Sequence, residues 1–339
     1  MQIEDFDYHL PPERIAQVPL EPRDSSRLLI DRGPGRVAEH GHVTDLVGEL
    51  RDGDLLVVND SKVIPARLTL RRETGGAAEV VLLEPLDPQR RSWEALVRPA
   101  RKLHVGETLY TSDGTPLVAV GDRTAAGDTF RVTILGEAAP LDSLQRFGVM
   151  PLPPYITTAL ADAERYQTVY ANEPGSAAAP TAGLHLTPTL IEQLTAKGVE
   201  LARVELVVGL DTFKPVDEPD PTTHLIHTER YSVPATTMEA CQQARRVVAV
   251  GTTATRALET TAATGVLQGR SQLFIYRPYE WAIVDLLLTN FHMPRTTLLM
   301  MIDAFVGSRW RDLYDTALAG DYRFLSFGDA MLLNRSAPR

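Results

Sequence analysis

Short runs of apolar residues, separated by turn signals, characterise the middle of the chain. Between about residues 66 and 150 such runs occur at 78–83, 93–97 and 129–135. The breaks between them fall at Gly75-Gly76, Asp113-Gly114 and Gly121-Asp122. Because several strands at this spacing show hardly any helical period, the pattern predicts a small antiparallel β-barrel.

On both sides of this segment, helical and strand-like patterns alternate. The apolar run at 54–58 predicts a buried strand, and Thr187-Pro188 predicts the N-cap and first residue of a helix that ends near Gly198. Further predicted elements are a strand at 199–208, a helix at 238–246, a strand at 247–250 followed by a turn and a helix, strands at 273–276 and 283–288, and a helix at 296–306. This alternation is typical of α/β proteins.

The β-rich pattern and the alternating helix–strand pattern together predict a domain organisation. We expect a mixed α/β main domain formed by residues 1–65 and 151–339, with residues 66–150 inserted as the β-barrel domain.

Composition narrows the class of protein. The chain has 339 residues, of which 44% are hydrophobic and 23% charged, as in ordinary globular proteins. The single cysteine, Cys241, excludes an internal disulfide and a multi-thiolate metal site, and we interpret it as a buried helical residue. No secretory signal is visible, and the apolar runs are too short to cross a bilayer, so we expect a cytoplasmic protein.

The charge distribution argues against a general nucleic-acid binder. The net charge is −10, whereas such proteins normally carry an excess of Lys and Arg. Residues 66–150 contain 11 basic and 11 acidic residues, so the rest of the chain carries the whole deficit. Contact with a polyanion would have to be local. The candidate patches are Arg71-Arg72 and Arg98 with Arg101-Lys102, and each could equally be solvated surface.

Three histidines lie beside groups that make them candidates for acid–base chemistry or metal binding. His185 precedes a predicted helix N-cap, where a neutral imidazole could act as a base or simply pack at the helix start. His224, His227 and Glu229 could supply metal ligands, metal-free acid–base groups or an ordinary surface loop. Their spacing does not match the helical histidine pair of zinc proteases.

Two polar clusters follow predicted buried strands, where α/β folds usually place ligands. One is Gly251-Thr252-Thr253, whose backbone N–H groups could meet an anion or a hydroxyl, and the other is the segment 289–295. Neither matches a phosphate loop or a dinucleotide fingerprint, and an ordinary β–α turn explains the first equally well.

Several longer motifs are more specific. They are residues 5–11 (DFDYHLP), 23–29 (RDSSRLL), 59–68 (NDSKVIPARL), 98–103 (RPARKL), 164–170 (ERYQTVY), 179–185 (APTAGLH) and 289–292 (TNFH). In this order, over nearly the whole chain, they resemble the motifs of the S-adenosylmethionine:tRNA ribosyltransferase-isomerases of queuosine biosynthesis.

The resemblance implies a reaction. Family members transfer and isomerise the ribosyl part of S-adenosylmethionine onto 7-aminomethyl-7-deazaguanine at the tRNA wobble position. Epoxyqueuosine-tRNA forms, and adenine and methionine are released. S-adenosylmethionine is a substrate, and neither a metal nor another cofactor is expected. The fold it implies, an α/β domain with an inserted barrel, agrees with the pattern above.

The resemblance also implies site residues. Proton transfer points to His185 or His227 as the base, with Glu229 orienting an imidazole or facing the sulfonium, and with His224 beside them. Arg98, Arg101 and Lys102 are expected to contact anticodon phosphates. The groups expected to hold substrate are Asn59, Arg67, Thr181, Asp211, Thr252, Arg256, Asn290 and His292.

The chain departs from the family pattern at a few positions. They are Val207 for a histidine, Asp211 for a glycine, Ile226 for a methionine, Ala254 for a serine and Arg277-Pro278 for a Pro-Gly turn. Two alternatives therefore stay open. One is a paralogue that acts on a free deazapurine or another small amine, and the other is a non-catalytic tRNA-binding relative.

Overall fold

The computed structural model describes residues 1–124, 127–209, 215–224, 226 and 228–336. Its strands are β1 (Arg27–Ile30), β2 (Glu39–His42), β3 (Asp54–Asn59), β4 (Ser61–Val63), β5 (Arg67–Arg72), β6 (Ala77–Pro85), β7 (Ser92–Arg98), β8 (Thr108–Tyr110), β9 (Pro116–Arg123), β10 (Phe130–Ile134), β11 (Gly148–Val149), β12 (Glu173–Ser176), β13 (Glu200–Leu206), β14 (Glu229–Ser232), β15 (Arg246–Val250), β16 (Gln268–Ser271), β17 (Leu286–Asn290) and β18 (Ala330–Asn334). Its α-helices are α1 (Leu46–Glu49), α2 (Pro140–Phe147), α3 (Pro188–Ala196), α4 (Ala235–Gln243), α5 (Gly251–Thr264), α6 (Thr297–Val306) and α7 (Trp310–Ala319).

A mixed sheet organises the larger part of the fold. In the described residues its strand order is β16-β14-β13-β3-β15-β17-β18-β1-β2. The central strands β13, β3, β15 and β17 are parallel, so their carboxyl ends meet at one edge. Every residue of β3 and β17 is buried, because helices cover the sheet and most side chains of these strands are apolar.

The β-barrel is inserted at that same edge. Strands β5, β6, β7, β10, β9 and β8 pair antiparallel in this order, and β5 pairs back with β8 to close the ring. Inward side chains such as Trp93, Leu68 and Val132 fill its core. The chain leaves the main sheet at the end of β3 and enters the barrel through β4, so the barrel lies beside the carboxyl ends of the parallel strands.

Most predicted elements are confirmed. The strand at 54–58 is β3, the strand at 247–250 is β15, and Thr187 caps α3 by accepting a hydrogen bond from the Leu190 N–H. Cys241 is buried on α4. The fold class, an α/β main sheet with a small antiparallel barrel, is confirmed.

Two details were wrong. The run 273–276 forms no strand; Ile275 is buried there, and the Phe274 and Tyr276 rings stack edge-on at 4.9 Å. A short apolar run can be buried without a sheet partner, and the strand lies instead at the polar β16, which pairs with β14. Helix α4 also begins and ends about three residues before the predicted range, since Arg246 already belongs to β15.

Among the helices of the described residues, none combines the length and the apolar character that a membrane span requires.

Candidate active site

Two adjoining cavities open at the carboxyl edge of the parallel strands. A narrow pocket lies between the start of α5, the end of β17 and the 3-10 helix Thr181–His185. A larger cleft of about 580 Å³ lies between the main sheet and the barrel. Leu298 on α6 lines both cavities, so they are neighbours.

Uncharged polar groups line the narrow pocket. Thr181, Thr252, Thr253, Asn290 and His292 contribute to its wall together with apolar side chains. The buried hydroxyl of Thr253 has no hydrogen-bond partner among the described residues. The predicted substrate residues Thr181, Thr252, Asn290 and His292 are thus brought together in a pocket suited to a neutral, partly apolar group.

Asn290 connects this pocket to His185. Its Nδ2 donates to the Leu325 carbonyl oxygen at 3.1 Å and lies 3.1 Å from His185 Nε2. The Leu325 carbonyl oxygen can only accept a hydrogen bond, so the Asn290 atom that faces it is the amide nitrogen. The same nitrogen faces His185 Nε2, which must therefore accept the second N–H of Asn290. His185 is therefore neutral, with its own proton on Nδ1.

The surroundings of His185 agree with that protonation state. Burial, reinforced by the charge of Arg323, lowers the pKa of His185 to about 4. His185 does not line the narrow pocket but a separate smaller cavity, together with Arg23 and Arg165. In this arrangement its imidazole orients Asn290 instead of facing either larger cavity.

His292 is held in a similar way. Its Nε2 lies 3.0 Å from Thr289 Oγ1, and its backbone N–H donates to the Tyr314 hydroxyl at 2.9 Å. Burial lowers the pKa of His292 to about 3, so the ring is neutral and can serve only as a polar wall.

The start of α5 shapes the boundary of the narrow pocket. Gly251 follows β15 directly and adopts a φ of +88°, and a Cβ there would lie 3.4 Å from the Ala182 Cβ. Only glycine adopts this backbone without strain. Thr252 and Thr253 then stand in the first turn of the 14-residue helix, beside the open N–H groups of its N-terminus.

Charged groups line the larger cleft. Glu229 at the start of β14 forms a buried ion pair with Nη1 of Arg256 on α5. His224 lies nearby, and its Nδ1 is 2.9 Å from Glu218 Oε2. An imidazole oriented by a carboxylate is a common arrangement for a general base.

The barrel contributes mainly acidic groups to this cleft. Glu84, Glu94 and Asp128 line it from the barrel side. With Glu229 they outnumber Arg256 and Arg270 among the described lining residues, so the cleft favours a cation.

One ion pair joins the barrel to the main sheet at the cleft. Arg270 Nη1 lies 2.6 Å from Glu84 Oε1, while its Nε donates to Thr228 Oγ1 at 2.8 Å. Because Glu84 belongs to β6 and Arg270 to β16, this contact helps to set the width of the cleft.

Other predicted residues lie outside the two cavities. The Asn59 amide bridges to the Leu206 backbone, with Nδ2 donating to its oxygen at 2.9 Å and Oδ1 accepting from its nitrogen at 3.1 Å. Asn59 thereby ties together the ends of β3 and β13. Arg67 begins β5 and lies 4.0 Å from Glu79.

The predicted tRNA contacts are exposed. Arg98 lies on the outer face of β7, and Arg101 and Lys102 follow it. Arg72, by contrast, pairs with Glu107 at 2.7 Å, so its charge is compensated. His227 and Asp211 lie outside the described residues.

The structure shows where four of the residues that depart from the family pattern lie. Val207 and Ile226 line the larger cleft, and Ala254 is buried on α5. Arg277 pairs with Asp303 on α6 through two hydrogen bonds, of 2.5 and 2.8 Å.

Sequence reasoning missed Glu218, Glu84 and Arg270. Glu84 and Arg270 are 186 positions apart, and only the inserted barrel brings them together. Glu218 is six residues before His224, but that spacing carries no signal outside a regular element.

Comparison with known proteins identifies the family of this chain. Residues 3–333 match the family model described as queuosine biosynthesis protein. An S-adenosylmethionine:tRNA ribosyltransferase-isomerase of Moorella thermoacetica is 49% identical, with 98% of this chain and all of that protein covered. The enzyme of the same name from Thermus thermophilus is 48% identical, with 98% and 99% covered.

A solved structure is also similar. The crystal structure of an S-adenosylmethionine tRNA ribosyltransferase from Thermotoga maritima superimposes with a TM-score of 0.55 at 37% identity, covering 97% of this chain and 99% of that one. A family match over nearly the whole length and relatives of this similarity lead to one conclusion. The chain belongs to the queuosine biosynthesis protein family, that of the S-adenosylmethionine:tRNA ribosyltransferase-isomerases.

Proposed function

We propose that this protein transfers and isomerises the ribosyl moiety of S-adenosylmethionine onto 7-aminomethyl-7-deazaguanine at the tRNA wobble position. The products are epoxyqueuosine-tRNA, adenine and methionine. The observation that carries the proposal, beyond family membership, is the pairing of an acidic cleft with a neutral pocket at the carboxyl edge of the sheet. S-adenosylmethionine has a cationic sulfonium, which suits the acidic cleft, and an uncharged adenine, which suits the neutral pocket.

The narrow pocket is proposed to hold the adenine. Asn290 and the threonines at the start of α5 supply hydrogen bonds, and apolar side chains cover the ring faces. His185 keeps the Asn290 amide in one orientation through the 3.1 Å hydrogen bond. Adenine leaves more easily when its ring nitrogens accept such hydrogen bonds.

The larger cleft is proposed to hold the sulfonium, the ribose and the acceptor amine. The positive sulfur makes the adjacent ribose carbon acidic, so a base can remove a proton and leave a carbanion stabilised by sulfur. Among the described histidines, His224 lines this cleft, and Glu218 orients it at 2.9 Å. We therefore assign His224 as the base. His227 lies outside the described residues.

The later steps follow from that carbanion. Adenine departs with the C–N bond electrons and a proton, and the aminomethyl group of the deazaguanine then attacks the rearranged sugar. Methionine leaves as the sulfur recovers its electron pair. The acidic cleft stabilises the sulfonium before the reaction and loses that attraction after it, which favours release of neutral thioether.

The acceptor is proposed to enter between the barrel and the main sheet. Arg98, Arg101 and Lys102 on the barrel are expected to hold anticodon phosphates outside the acidic cleft. Because tRNA and S-adenosylmethionine are cytoplasmic, we place the reaction in the cytoplasm.

The decisive test supplies two acceptors. Purified protein is incubated with S-adenosylmethionine and either tRNA carrying 7-aminomethyl-7-deazaguanine or the free base, and products are identified by mass spectrometry. Epoxyqueuosine only in the tRNA sample supports the proposal. Adenine release with the free base alone would indicate a small-molecule paralogue, and tRNA binding without adenine release a non-catalytic relative.

No metal takes part in the proposed steps. Turnover is therefore expected to persist after exhaustive chelation, measured as adenine released per enzyme. Loss of turnover that zinc or magnesium restores would contradict a metal-free mechanism.

A further inference from the structure

One edge of the Arg256 guanidinium is buried and has no partner in the part of the chain that the structure describes. Arg256 is 7% exposed and lines the larger cleft from α5. Its Nη1 donates to Glu229, but Nε and Nη2 have no hydrogen-bond partner among the described residues. Buried donors of a charged group are rarely left unsatisfied, because the loss of hydration is not offset.

The same edge holds a carboxylate elsewhere in this protein. Nε and Nη2 together donate to the two oxygens of one carboxylate at Arg72, Arg246, Arg277 and Arg309, whose partners are Glu107, Asp54, Asp303 and Asp31. Planar, two-pronged recognition of this kind is the geometry for which arginine is suited. Among the described residues, no carboxylate occupies this edge of Arg256.

The charges around Arg256 narrow the choice of anion. Glu84, Glu94, Asp128 and Glu229 line the same cleft and would repel a nucleic-acid phosphate. A zwitterionic amino acid fits better, because its ammonium group can approach these carboxylates while its own carboxylate meets the arginine.

We propose that Arg256 binds the α-carboxylate of the methionine portion of S-adenosylmethionine through its Nε–Nη2 edge. The inference rests on the proposed function and extends it to the amino-acid end of the donor. Because both atoms are buried, the carboxylate must displace part of the cleft wall to reach them. Glu229 holds Arg256 from the opposite side, so it positions the guanidinium as well as contributing negative charge.

The test compares S-adenosylmethionine with its decarboxylated analogue, which keeps the sulfonium, ribose, adenine and amine. Both are titrated calorimetrically into wild-type protein, Arg256→Met and Arg256→Lys, without tRNA. We expect the wild type to prefer the carboxylated ligand by about 10- to 100-fold, as for a charge-assisted hydrogen bond of 1.5–3 kcal/mol. Arg256→Met should reduce this ratio to near one, and Arg256→Lys should fall between.

Controls separate this effect from misfolding. Arg277→Met also removes a paired arginine, but away from the cleft lining, and should leave the ratio between the two ligands unchanged. Circular dichroism identifies any variant that does not fold. If Arg256→Met fails to fold, the wild-type ratio and Arg256→Lys still decide the matter.

Three results would overturn the inference. In the titrations without tRNA, the wild type could bind both ligands equally, or Arg256→Met could weaken both by the same factor. In a separate titration with tRNA, Arg256→Met could weaken tRNA binding alone, which would assign the edge to a phosphate. Each leaves the proposed function standing if the wild type still releases adenine in the presence of tRNA. Failure of the wild type to bind S-adenosylmethionine at all would overturn the proposed function as well.

Discussion

Two histidines in the site region are buried in neutral form, and their role follows from their hydrogen bonds. His185 accepts from Asn290, and His292 lies against Thr289, both beside the narrow pocket. Motif resemblance put His185 forward as a base, since sequence shows a residue type but not the direction in which a ring nitrogen points. The surroundings of His185 favour an orienting role.

The buried state of His185 makes stability depend on pH. Its folded pKa, about 4, lies below the unfolded value of 6.5, so the unfolded chain binds more protons between these values. The free energy of unfolding should fall as pH drops from about 6.5 to about 4, with about 3 kcal/mol from this residue. Above pH 6.5 the contribution of His185 is constant.

Denaturant unfolding of wild type and His185→Gln across this pH range measures that contribution. The difference in unfolding free energy between the two should change with pH, the wild type losing more on acidification. Parallel curves for the two proteins would show that His185 is not buried neutral.

His224 is the residue for which activity should change most. His224→Gln is expected to lower kcat by about 10²–10⁴, because a positioned base is lost, while S-adenosylmethionine affinity stays unchanged. Glu218→Gln should give a smaller loss, since the imidazole remains but is no longer oriented.

Single-turnover adenine release measures both effects, with His104→Gln, an exposed barrel histidine, as a matched control. A normal kcat for His224→Gln would transfer the role of base to another group.

At the scale of elements, sequence reasoning was strongest where caps and periodicity agree. Helices α3 and α6 begin after Thr187 and Thr296, whose side chains accept hydrogen bonds from backbone N–H groups three residues later. These bonds are local, so the sequence alone predicts them. The polar edge strand β16 was missed because its stability comes from pairing with β14, a partner that the local sequence cannot show. The apolar run at 273–276 has the pattern of a buried strand, but burial without a sheet partner produces the same pattern.

Helix α5 offers a matched pair of glycines. Gly251 at its start and Gly265 at its end both have positive φ, +88° and +70°. Alanine at either position should cost about 1–2 kcal/mol of stability from backbone strain. Gly251→Ala should also weaken S-adenosylmethionine binding, because relief of the strained backbone at φ +88° would move Thr252 and Thr253, which line the narrow pocket.

Gly265→Ala should leave binding unchanged, since no atom of the described residues lies within 4 Å of its added Cβ. Calorimetric titration of both variants separates the two effects. Equal loss of affinity would mean that general destabilisation, not the pocket wall, is responsible.

At the scale of the whole molecule, the inserted barrel creates the larger cleft. The β-rich pattern and the alternating helix–strand pattern of the sequence predicted the barrel and the main domain, because both patterns follow from local periodicity. They could not predict the cleft itself, whose width depends on contacts such as Arg270 with Glu84, far apart in the chain. The sequence likewise grouped His224 and Glu229 but could not show Glu218 beside them.

The barrel is also where tRNA contacts are expected. Arg101→Glu should weaken tRNA binding and reduce the slope of log affinity against log salt by roughly one unit or more, because a phosphate contact is lost. S-adenosylmethionine binding should not change. Arg71→Glu, an equal charge reversal at an exposed position on β5 in the other candidate patch, is the comparison.

Fluorescence titrations with tRNA at several salt concentrations measure the slope. An unchanged slope for Arg101→Glu, with a reduced slope for Arg71→Glu, would move the tRNA contact to the Arg71 patch.

The central claim is that ribose carbons pass from S-adenosylmethionine to tRNA. It is tested most directly with donor labelled by carbon-13 throughout the ribose, followed by mass spectrometry of the tRNA nucleosides. The account predicts that the new nucleoside carries all the labelled ribose carbons and that unlabelled adenine and methionine are released in equal amounts. A modified nucleoside without the label, or one that gains only the donor's methyl group, would contradict it.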